Sequence, residues 1–157
     1  APGVNRYFSA ERWDVIDEKI WADERNRARD LVNYDTDFIA YGSDIDEDAI
    51  EIAKINAKRA GVERKIKFEK ADIRNFEPKS EKGTVICNPP YGERLLDIEE
   101  AQKLYKIMGE KFIRKHGWSY YVISPSEEFE KEFGRKADKR RKLYNGMIKC
   151  QLFMYFK

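Results

Sequence analysis

A four-residue motif, Asn88-Pro89-Pro90-Tyr91, combines residue types that can hold an amine in a reactive orientation. An exocyclic amine on a base or an amide is a poor nucleophile because its lone pair is delocalised. The Asn88 carboxamide oxygen and the Pro89 carbonyl could each accept one amine hydrogen, which favours the amine whose lone pair faces an electrophile. Pro90 adds no backbone donor, and the Tyr91 ring offers a face on which a flipped-out base could stack. The motif therefore predicts Asn88, Pro89, Pro90 and Tyr91 as catalytic residues.

The motif directly follows a short apolar run, residues 84–87, that is typical of a buried strand. Neither proline can donate to a sheet ladder, and each one disfavours helix at the residue before it. The strand should therefore end at Asn88 in a rigid, extended turn. The simpler interpretation is a Pro-Pro turn that only closes a strand.

Two acidic residues follow other predicted strands in the same way. Asp44 ends one strand and Asp72 ends the next, while Asn88 ends a third. In a doubly wound sheet, ligands bind at the carboxyl edge of the strands, so these side chains should meet there. One carboxylate suits the hydroxyls of a ribose and the other an adenine amine, with the neighbouring Ile45 and Ile73 on the two ring faces. The alternative for each acid alone is a helix cap or a turn residue.

The order of elements predicts the architecture. Helical periodicity covers residues 9–32 with Ser9 as the cap, and Trp13, Ile16, Ile20 and Trp21 lie at helical spacing on its apolar side. Two further helices are predicted, over residues 46–60 with Asp46 as the cap and over residues 99–115. Strands are predicted at residues 38–42, 66–71, 84–87, 118–123 and 147–156. Alternating helices and strands imply an α/β fold with a mostly parallel sheet.

Two local signals refine the predicted C-terminal half. Residues 124–127, Ser-Pro-Ser-Glu, have the pattern of a helix capping box. Asn145-Gly146 favours a hairpin, so the last two strands should be antiparallel. The apolar faces of the two central helices are expected to bury the following residues: Ala49, Ile52, Ala53, Ala57, Ala101, Leu104, Met108 and Phe112.

Composition indicates one globular domain over residues 1–157. Charged residues make up 38% of the chain, yet the net charge is only +2, so no global field indicates a nucleic-acid partner. Cys87 and Cys150 lie in apolar runs, which predicts reduced, buried thiols and a cytoplasmic protein without a disulfide. With His116 as the single histidine, no metal site is expected, and no apolar run reaches the length of a membrane span.

Charge is distributed unevenly along the chain. Residues 35–51 are acidic, whereas residues 131–149 are rich in lysine and arginine. Such a run is either a solvated surface or a nucleic-acid contact, and the sequence leaves both open.

The motif resembles motif IV of the S-adenosylmethionine-dependent amino-methyltransferases. The likeness extends over nearly the whole chain, through residues 41–46, 56–62, 71–72, 87–95 and 142–146, to the catalytic domain of the THUMP-associated 23S rRNA guanine-N2 methyltransferases. Bacterial members are often labelled N6-adenine-specific DNA methylases, but Gly92-Glu93-Arg94 favours the rRNA branch. The resemblance implies a Rossmann-like fold and ribosomal RNA as partner. It also implies S-adenosylmethionine as cofactor, held by Asp44, Ile45, Asp72, Ile73 and Asn88.

The chain departs from that family in one respect. The family holds the methionine end of the cofactor with a Gly-rich loop after its first strand, and no Gly-x-Gly sequence occurs in these 157 residues. The resemblance therefore implies a C-terminal part of the catalytic domain, without the strand that lies between those ending at Asp44 and Asn88. Alone, this part should be inactive, and it should either self-associate or associate with the missing N-terminal part.

Other function classes remain open at this point. The same acceptor geometry would serve an N6-adenine DNA methyltransferase or a methyltransferase acting on a protein glutamine. A non-catalytic nucleic-acid-binding module that kept the fold is the third alternative.

Overall fold

A computed structural model describes residues 3–92 and 98–156. The chain forms two compact units, Ala1–Ala40 and Tyr41–Lys157. The site residues all belong to the second unit.

The first unit contains two helical segments where the sequence predicted one. A 3-10 helix covers Ser9–Arg12, and helix α1 covers Glu18–Asp30. The prediction of one helix capped by Ser9 is wrong, because the backbone is extended at Trp13 and interrupts the helix. Asp17 then caps α1 by accepting a hydrogen bond from the Lys19 N–H. Trp13 and Ile20 are exposed. Of the predicted apolar residues, Trp21 does pack within this unit, where it stacks on Phe8, and Arg25 forms an ion pair with Glu11.

A strand–helix–strand segment, whose first strand starts at the boundary between the units, leads into the second unit. Strand β1 is Ala40–Asp44, helix α2 is Glu47–Arg59 and strand β2 is Ile66–Lys70, with β1 and β2 forming a two-stranded sheet. Asp46 caps α2 as predicted, and Gly61 follows the helix with φ +70°. The predicted apolar face is only partly right. Ile50 and Ala57 are buried, whereas Ile52 is exposed.

A separate four-stranded sheet carries the larger core. Its strands are β3 (Gly83–Cys87), β4 (Trp118–Ser124), β5 (Lys139–Asn145) and β6 (Ile148–Tyr155), in the order β3-β4-β6-β5. β3 and β4 are parallel, whereas β6 runs antiparallel to both β4 and β5. The sheet is therefore mixed, and the antiparallel C-terminal hairpin is confirmed. The break between the two sheets falls where the resemblance implies a further strand.

Helices α3 (Ile98–Lys111) and α4 (Phe129–Phe133) contribute the rest of the main core. The core cluster consists of Ala101, Tyr105, Met108, Phe112, Trp118, Tyr120, Val122, Phe129, Phe133, Phe153 and Tyr155. Much of it is aromatic stacking, such as Phe129 on Phe153 with ring centroids 4.4 Å apart. The predicted core face of α3 is confirmed, with Leu104 partly buried against the cluster.

Close approach of α3 and α4 depends on Gly109. A Cβ built on Gly109 would lie 1.9 Å from the Phe133 carbonyl oxygen. Only glycine therefore allows the two helices to pack at this distance.

The β5–β6 hairpin closes through a two-residue turn, Gly146-Met147. Gly146 has φ +59° and Met147 does not have positive φ, the pattern that a type II′ turn requires. Asn145 is consequently the last strand residue, paired with Ile148, and not a turn residue. This places its side chain at the sheet edge where β3 and β4 end.

Candidate active site

The Asn88-Pro89-Pro90-Tyr91 motif follows β3 directly, as predicted. Asn88 is exposed, Pro89 is buried, and Pro90 and Tyr91 are partly buried. The buried proline fixes the turn, while the amide beside it faces solvent. The strand tip therefore presents a polar group on a backbone that has little freedom to move.

Tyr91 holds the Asn88 side chain in place. The Tyr91 hydroxyl donates to Asn88 Oδ1 at 2.6 Å, and Asn145 Nδ2 donates to the same hydroxyl at 3.3 Å. A carboxamide oxygen has two lone pairs, so one acceptor position on Asn88 remains for a further N–H donor. Cys150 Sγ, on β6, also contacts the Tyr91 hydroxyl oxygen, at 3.9 Å. The hairpin β5–β6 thus orients the motif through Tyr91.

A second set of hydrogen bonds holds the backbone of the motif. Tyr105 Oη, on α3, donates to the Pro90 carbonyl at 3.2 Å. Ser124 Oγ, at the end of β4, donates to Tyr105 Oη at 3.3 Å and accepts the Ser126 N–H at 3.1 Å. Ser124 is fully buried and Tyr105 is 2% exposed. These bonds fix the direction of the carbonyl groups that leave the strand tip.

Sequence reasoning missed this supporting set. Ser124 was predicted to start a capping box, but α4 begins only at Phe129, and its N-cap residue Glu128 makes no side-chain cap bond. The serine hydroxyl instead turns toward Tyr105. Tyr105 occupies a core-facing helical position, and its hydroxyl gave no periodic signal. The Asn-Gly pair predicted a turn, although Asn145 reaches Tyr91.

Asp44 lies at the end of β1 with an exposed side chain. Its Oδ1 accepts the Asp46 N–H at 2.9 Å. The alternative role predicted for Asp44, a helix cap, belongs to Asp46, and Asp44 closes a turn with only one of its two carboxylate oxygens. Oδ2 makes no hydrogen bond within the described part of the chain. The residue therefore fits a group that offers hydroxyl donors, such as a ribose.

Asp72 follows β2 and already has a partner. Its Oδ1 accepts the Arg74 N–H at 2.8 Å, and its Oδ2 pairs with Arg74 Nη1 at 2.7 Å. Arg74 is mostly exposed, so this ion pair is weak and leaves lone pairs of the carboxylate available. Ile45 is 62% exposed, whereas Ile73 packs partly against the core cluster. Of the two apolar residues, Ile45 presents more free surface.

Three strand ends come together at one edge. The Ala71 N–H bonds to the Asp44 carbonyl at 2.9 Å, which joins the ends of β1 and β2. Burial, together with a smaller contribution from the negative charge of the nearby Asp44 carboxylate, raises the pKa of Cys87 to about 11. Since Cys87 directly precedes Asn88, Asp44 lies near the end of β3 across the break between the sheets. The structure thus brings Asp44, Asp72 and Asn88 to the same region.

Burial also keeps the hydroxyls of Tyr91, in the motif, and of Tyr105, on α3, protonated, so that both can donate. Desolvation is the first cause of a raised pKa at both Tyr91 and Tyr105. Both hydroxyls stay protonated at neutral pH and can donate to Asn88 and Pro90.

Cys87 and Cys150 are free thiols. Within residues 3–92 and 98–156, no His, Cys, Asp and Glu cluster could hold a metal ion. None of the helices in that same part is long and apolar enough to cross a membrane. Glu93 and Arg94, which favoured the rRNA branch, lie outside the described residues.

Comparison with known proteins gives close relatives. The chain is 40% identical over 156 residues to the protein named RNA methyltransferase YpsC of Bacillus subtilis (strain 168), covering 99% of the chain and 40% of that protein. It is 37% identical over 160 residues to Ribosomal RNA large subunit methyltransferase K/L of Shewanella sp. (strain W3-18-1), covering 99% of the chain and 23% of that protein. The chain therefore spans less than half the length of these relatives.

A solved structure agrees with the fold. The crystal structure of SMU.472 complexed with SAH matches with a TM-score of 0.88 and 41% identity, over 99% of this chain and 41% of that one. This match confirms the predicted Rossmann-like α/β class. Residues 1–153 match a family described as RMKL-like, methyltransferase domain. The resemblance found in the sequence is confirmed: the chain belongs to the UPF0020 family of RMKL-like methyltransferase domains.

Proposed function

We propose that this chain carries the amine-positioning part of an S-adenosylmethionine-dependent methyltransferase that acts on guanine N2 in 23S rRNA. The observation that carries the proposal is the exposed Asn88 carboxamide, fixed by Tyr91 at the tip of β3 with one lone pair free. When bound, S-adenosylmethionine supplies an electrophilic methyl group.

The residues of the motif have separate roles in this proposal. Asn88 Oδ1 and the Pro89 carbonyl oxygen accept hydrogen bonds from the two N–H groups of the amine, and this turns the nitrogen lone pair toward the methyl donor. The Tyr91 ring, held at its hydroxyl by hydrogen bonds to Asn88 and Asn145, provides a fixed surface for stacking of the base. Tyr105 maintains the backbone direction through Pro90.

The cofactor residues are proposed from the strand ends. Asp44 Oδ2 would accept the ribose hydroxyls, and Asp72 would accept an adenine N–H. Ile45 and Ile73 would contact the adenine ring, and Asn88 would face the methyl group. The complex of SMU.472 with SAH, which is S-adenosylmethionine without its methyl group, supports this choice of cofactor.

Ribosomal RNA is proposed as substrate because one relative is named for the large-subunit RNA. The choice of guanine N2 as the methylated atom in that RNA rests on the resemblance of the motif to the guanine-N2 methyltransferases. An unpaired guanine would be the preferred target, since an unpaired base costs the least to extract.

The test compares substrates with the full-length protein. Unmodified 23S rRNA transcript, adenine-containing duplex DNA and bulk cellular protein are each incubated with methyl-labelled S-adenosylmethionine, and the products are identified by mass spectrometry. We expect N2-methylguanosine in the RNA, and a loss of about 10²–10³ in turnover for Asn88→Ala.

Other products would favour the alternatives. Methylated adenine in DNA with inert rRNA would indicate a DNA methyltransferase, and a methylated glutamine would indicate a protein substrate. RNA binding without transfer to any substrate would indicate a non-catalytic module.

Residues 1–157 alone are proposed to bind the cofactor weakly. They contain no Gly-x-Gly turn to bring backbone amides to the methionine end. β1 and β3 also lie at the ends of their sheets, and such edges invite pairing with another chain. Calorimetry and light scattering should show weak binding and self-association, or restored binding when the remaining part of the protein is added. A monomer with micromolar affinity would contradict this proposal.

A further inference from the structure

The tip of the β5–β6 hairpin lies next to the motif, and the hairpin face opposite Asn145 carries a surface with no assigned role. Asn145 Nδ2 is 3.3 Å from the Tyr91 hydroxyl, so the hairpin tip lies at the edge where β3 ends. The turn residue Met147 is 97% exposed. A substrate whose base reached Asn88 would therefore pass close to this tip.

One face of the hairpin near its tip combines an aromatic ring with two cations. Tyr144 lies directly opposite Lys149 in the strand register, and Lys142 lies two residues before it on the same face. Lys142 Nζ is 5.3 Å from the centroid of the Tyr144 ring. Tyr144 is 61% exposed, and both lysines are exposed.

The charge of this face is not neutralised locally. Residues 139–149 include no acidic residue. Within the described chain, neither Lys142 nor Lys149 forms an ion pair with a carboxylate, whereas Arg140 on the same strand pairs with Glu130. On this face the unpaired positive charge therefore lies near the hairpin tip, whereas Arg140, further along the same face, is paired.

We propose that Lys142, Tyr144 and Lys149 form a contact surface for the single-stranded RNA that flanks the reacting base. The lysines neutralise two phosphates, and the Tyr144 ring stacks on a neighbouring base. Aromatic stacking beside unpaired cations is the combination that binds single strands, because every base has a flat face and every linkage a charge. This inference rests on the proposed function, since it assumes an RNA substrate at Asn88.

The test measures binding of a short fluorescent single-stranded RNA to the full-length protein, without cofactor, at several salt concentrations. Lys142→Ala/Lys149→Ala should weaken binding about tenfold at physiological salt and lower the slope of log affinity against log salt by about 1.4. Lys142→Arg/Lys149→Arg, which keeps both positive charges, should retain the wild-type slope of log affinity against log salt. Tyr144→Ala should weaken binding about five- to hundredfold, and Tyr144→Phe, which keeps the ring, should stay near wild type.

The matched control removes the same charge from the opposite edge of the sheet. Lys82 and Lys115 are exposed, next to the start of β3 and just before β4. Lys82→Ala/Lys115→Ala should retain wild-type affinity and salt slope. If the hairpin double variant and this control gave the same isotherms, or if Tyr144→Ala bound like wild type, the inference would be overturned.

The outcome is independent of catalysis. A wild-type protein that bound RNA through the hairpin but transferred no methyl group would contradict the proposed function and leave this surface in place. If the wild-type protein methylated RNA and the hairpin variants bound RNA like wild type, the proposed function would stand and this surface would be rejected.

Discussion

The Tyr91 hydroxyl and the Asn88 carboxamide oxygen are joined by a 2.6 Å hydrogen bond at the tip of β3. This bond fixes which way the amide faces before any substrate arrives. Tyr91→Phe removes the donor and keeps the ring. We expect turnover to fall about threefold to tenfold, the value of one hydrogen bond, with little change in KM for RNA.

Comparison with Tyr91→Ala separates the two roles of this residue. Loss of the ring should raise KM as well, since stacking contributes about 1–3 kcal/mol per base. Because burial raises the pKa of Tyr91, its hydroxyl stays protonated and remains a donor at neutral and mildly alkaline pH. The ratio of wild-type to Tyr91→Phe turnover should therefore stay constant from neutral pH to about pH 9. Wild-type turnover in Tyr91→Phe would remove the hydroxyl from the mechanism.

Asp44→Ala should weaken S-adenosylmethionine binding to the full-length protein by about 1–3 kcal/mol, measured by calorimetry. The expected cause is loss of the acceptor for the ribose hydroxyls. Asp46→Ala is the matched control: it removes the cap of α2, which should cost about 1 kcal/mol of stability without loss of affinity. Equal affinities for the two variants would leave Asp44 as a turn residue.

Tyr105→Phe should lower turnover more than it lowers stability. The Pro90 carbonyl loses its donor and Ser124 loses its acceptor, whereas packing of the ring on Phe129 is kept. We expect a loss of about 1 kcal/mol in the free energy of unfolding. Denaturant titration and single-turnover kinetics on the same sample provide the comparison. Reduced stability with undiminished turnover would make the contact purely structural.

Gly109→Ala should destabilise the fold although alanine favours helix. The new Cβ would lie 1.9 Å from the Phe133 carbonyl oxygen, and overpacking costs about 1–3 kcal/mol, more than the gain in helix propensity of about 1 kcal/mol. Lys106→Ala, an exposed change in the same helix, is the control. A Gly109→Ala protein as stable as this control would show that α3 and α4 can separate without cost.

Cys87 should react slowly with alkylating reagents. Its pKa of about 11 leaves little thiolate at pH 8.5, and the rate should be about a hundredfold below that of a free thiol. Asp44→Asn should raise the rate, because it removes the negative charge that disfavours the thiolate. Peptide mass spectrometry separates Cys87 from Cys150. An unchanged rate in Asp44→Asn would mean that the ends of β1 and β3 do not influence each other.

The sequence by itself determined the strand tip and its chemistry. Two prolines after an apolar run must end a strand, and an Asn-Pro-Pro-Tyr motif carries its acceptors and its ring in one short segment. Asp46 as the cap of α2 and Gly61 after its end were likewise predictable. These features depend on neighbours in the chain, so local rules were sufficient.

Only the tertiary structure decided which residues support that tip. Tyr105, Ser124 and Asn145 come from a helix, a central strand and a hairpin. Their hydroxyl and amide groups have no periodic signature, and the Ser124 signal was compatible with a helix cap that does not form. The helical pattern over residues 9–32 failed for a different, local reason: Asp17 accepts the Lys19 N–H and caps a new helix, which periodicity alone does not detect. The support of the strand tip depends instead on contacts between distant segments, and a sequence pattern does not record them.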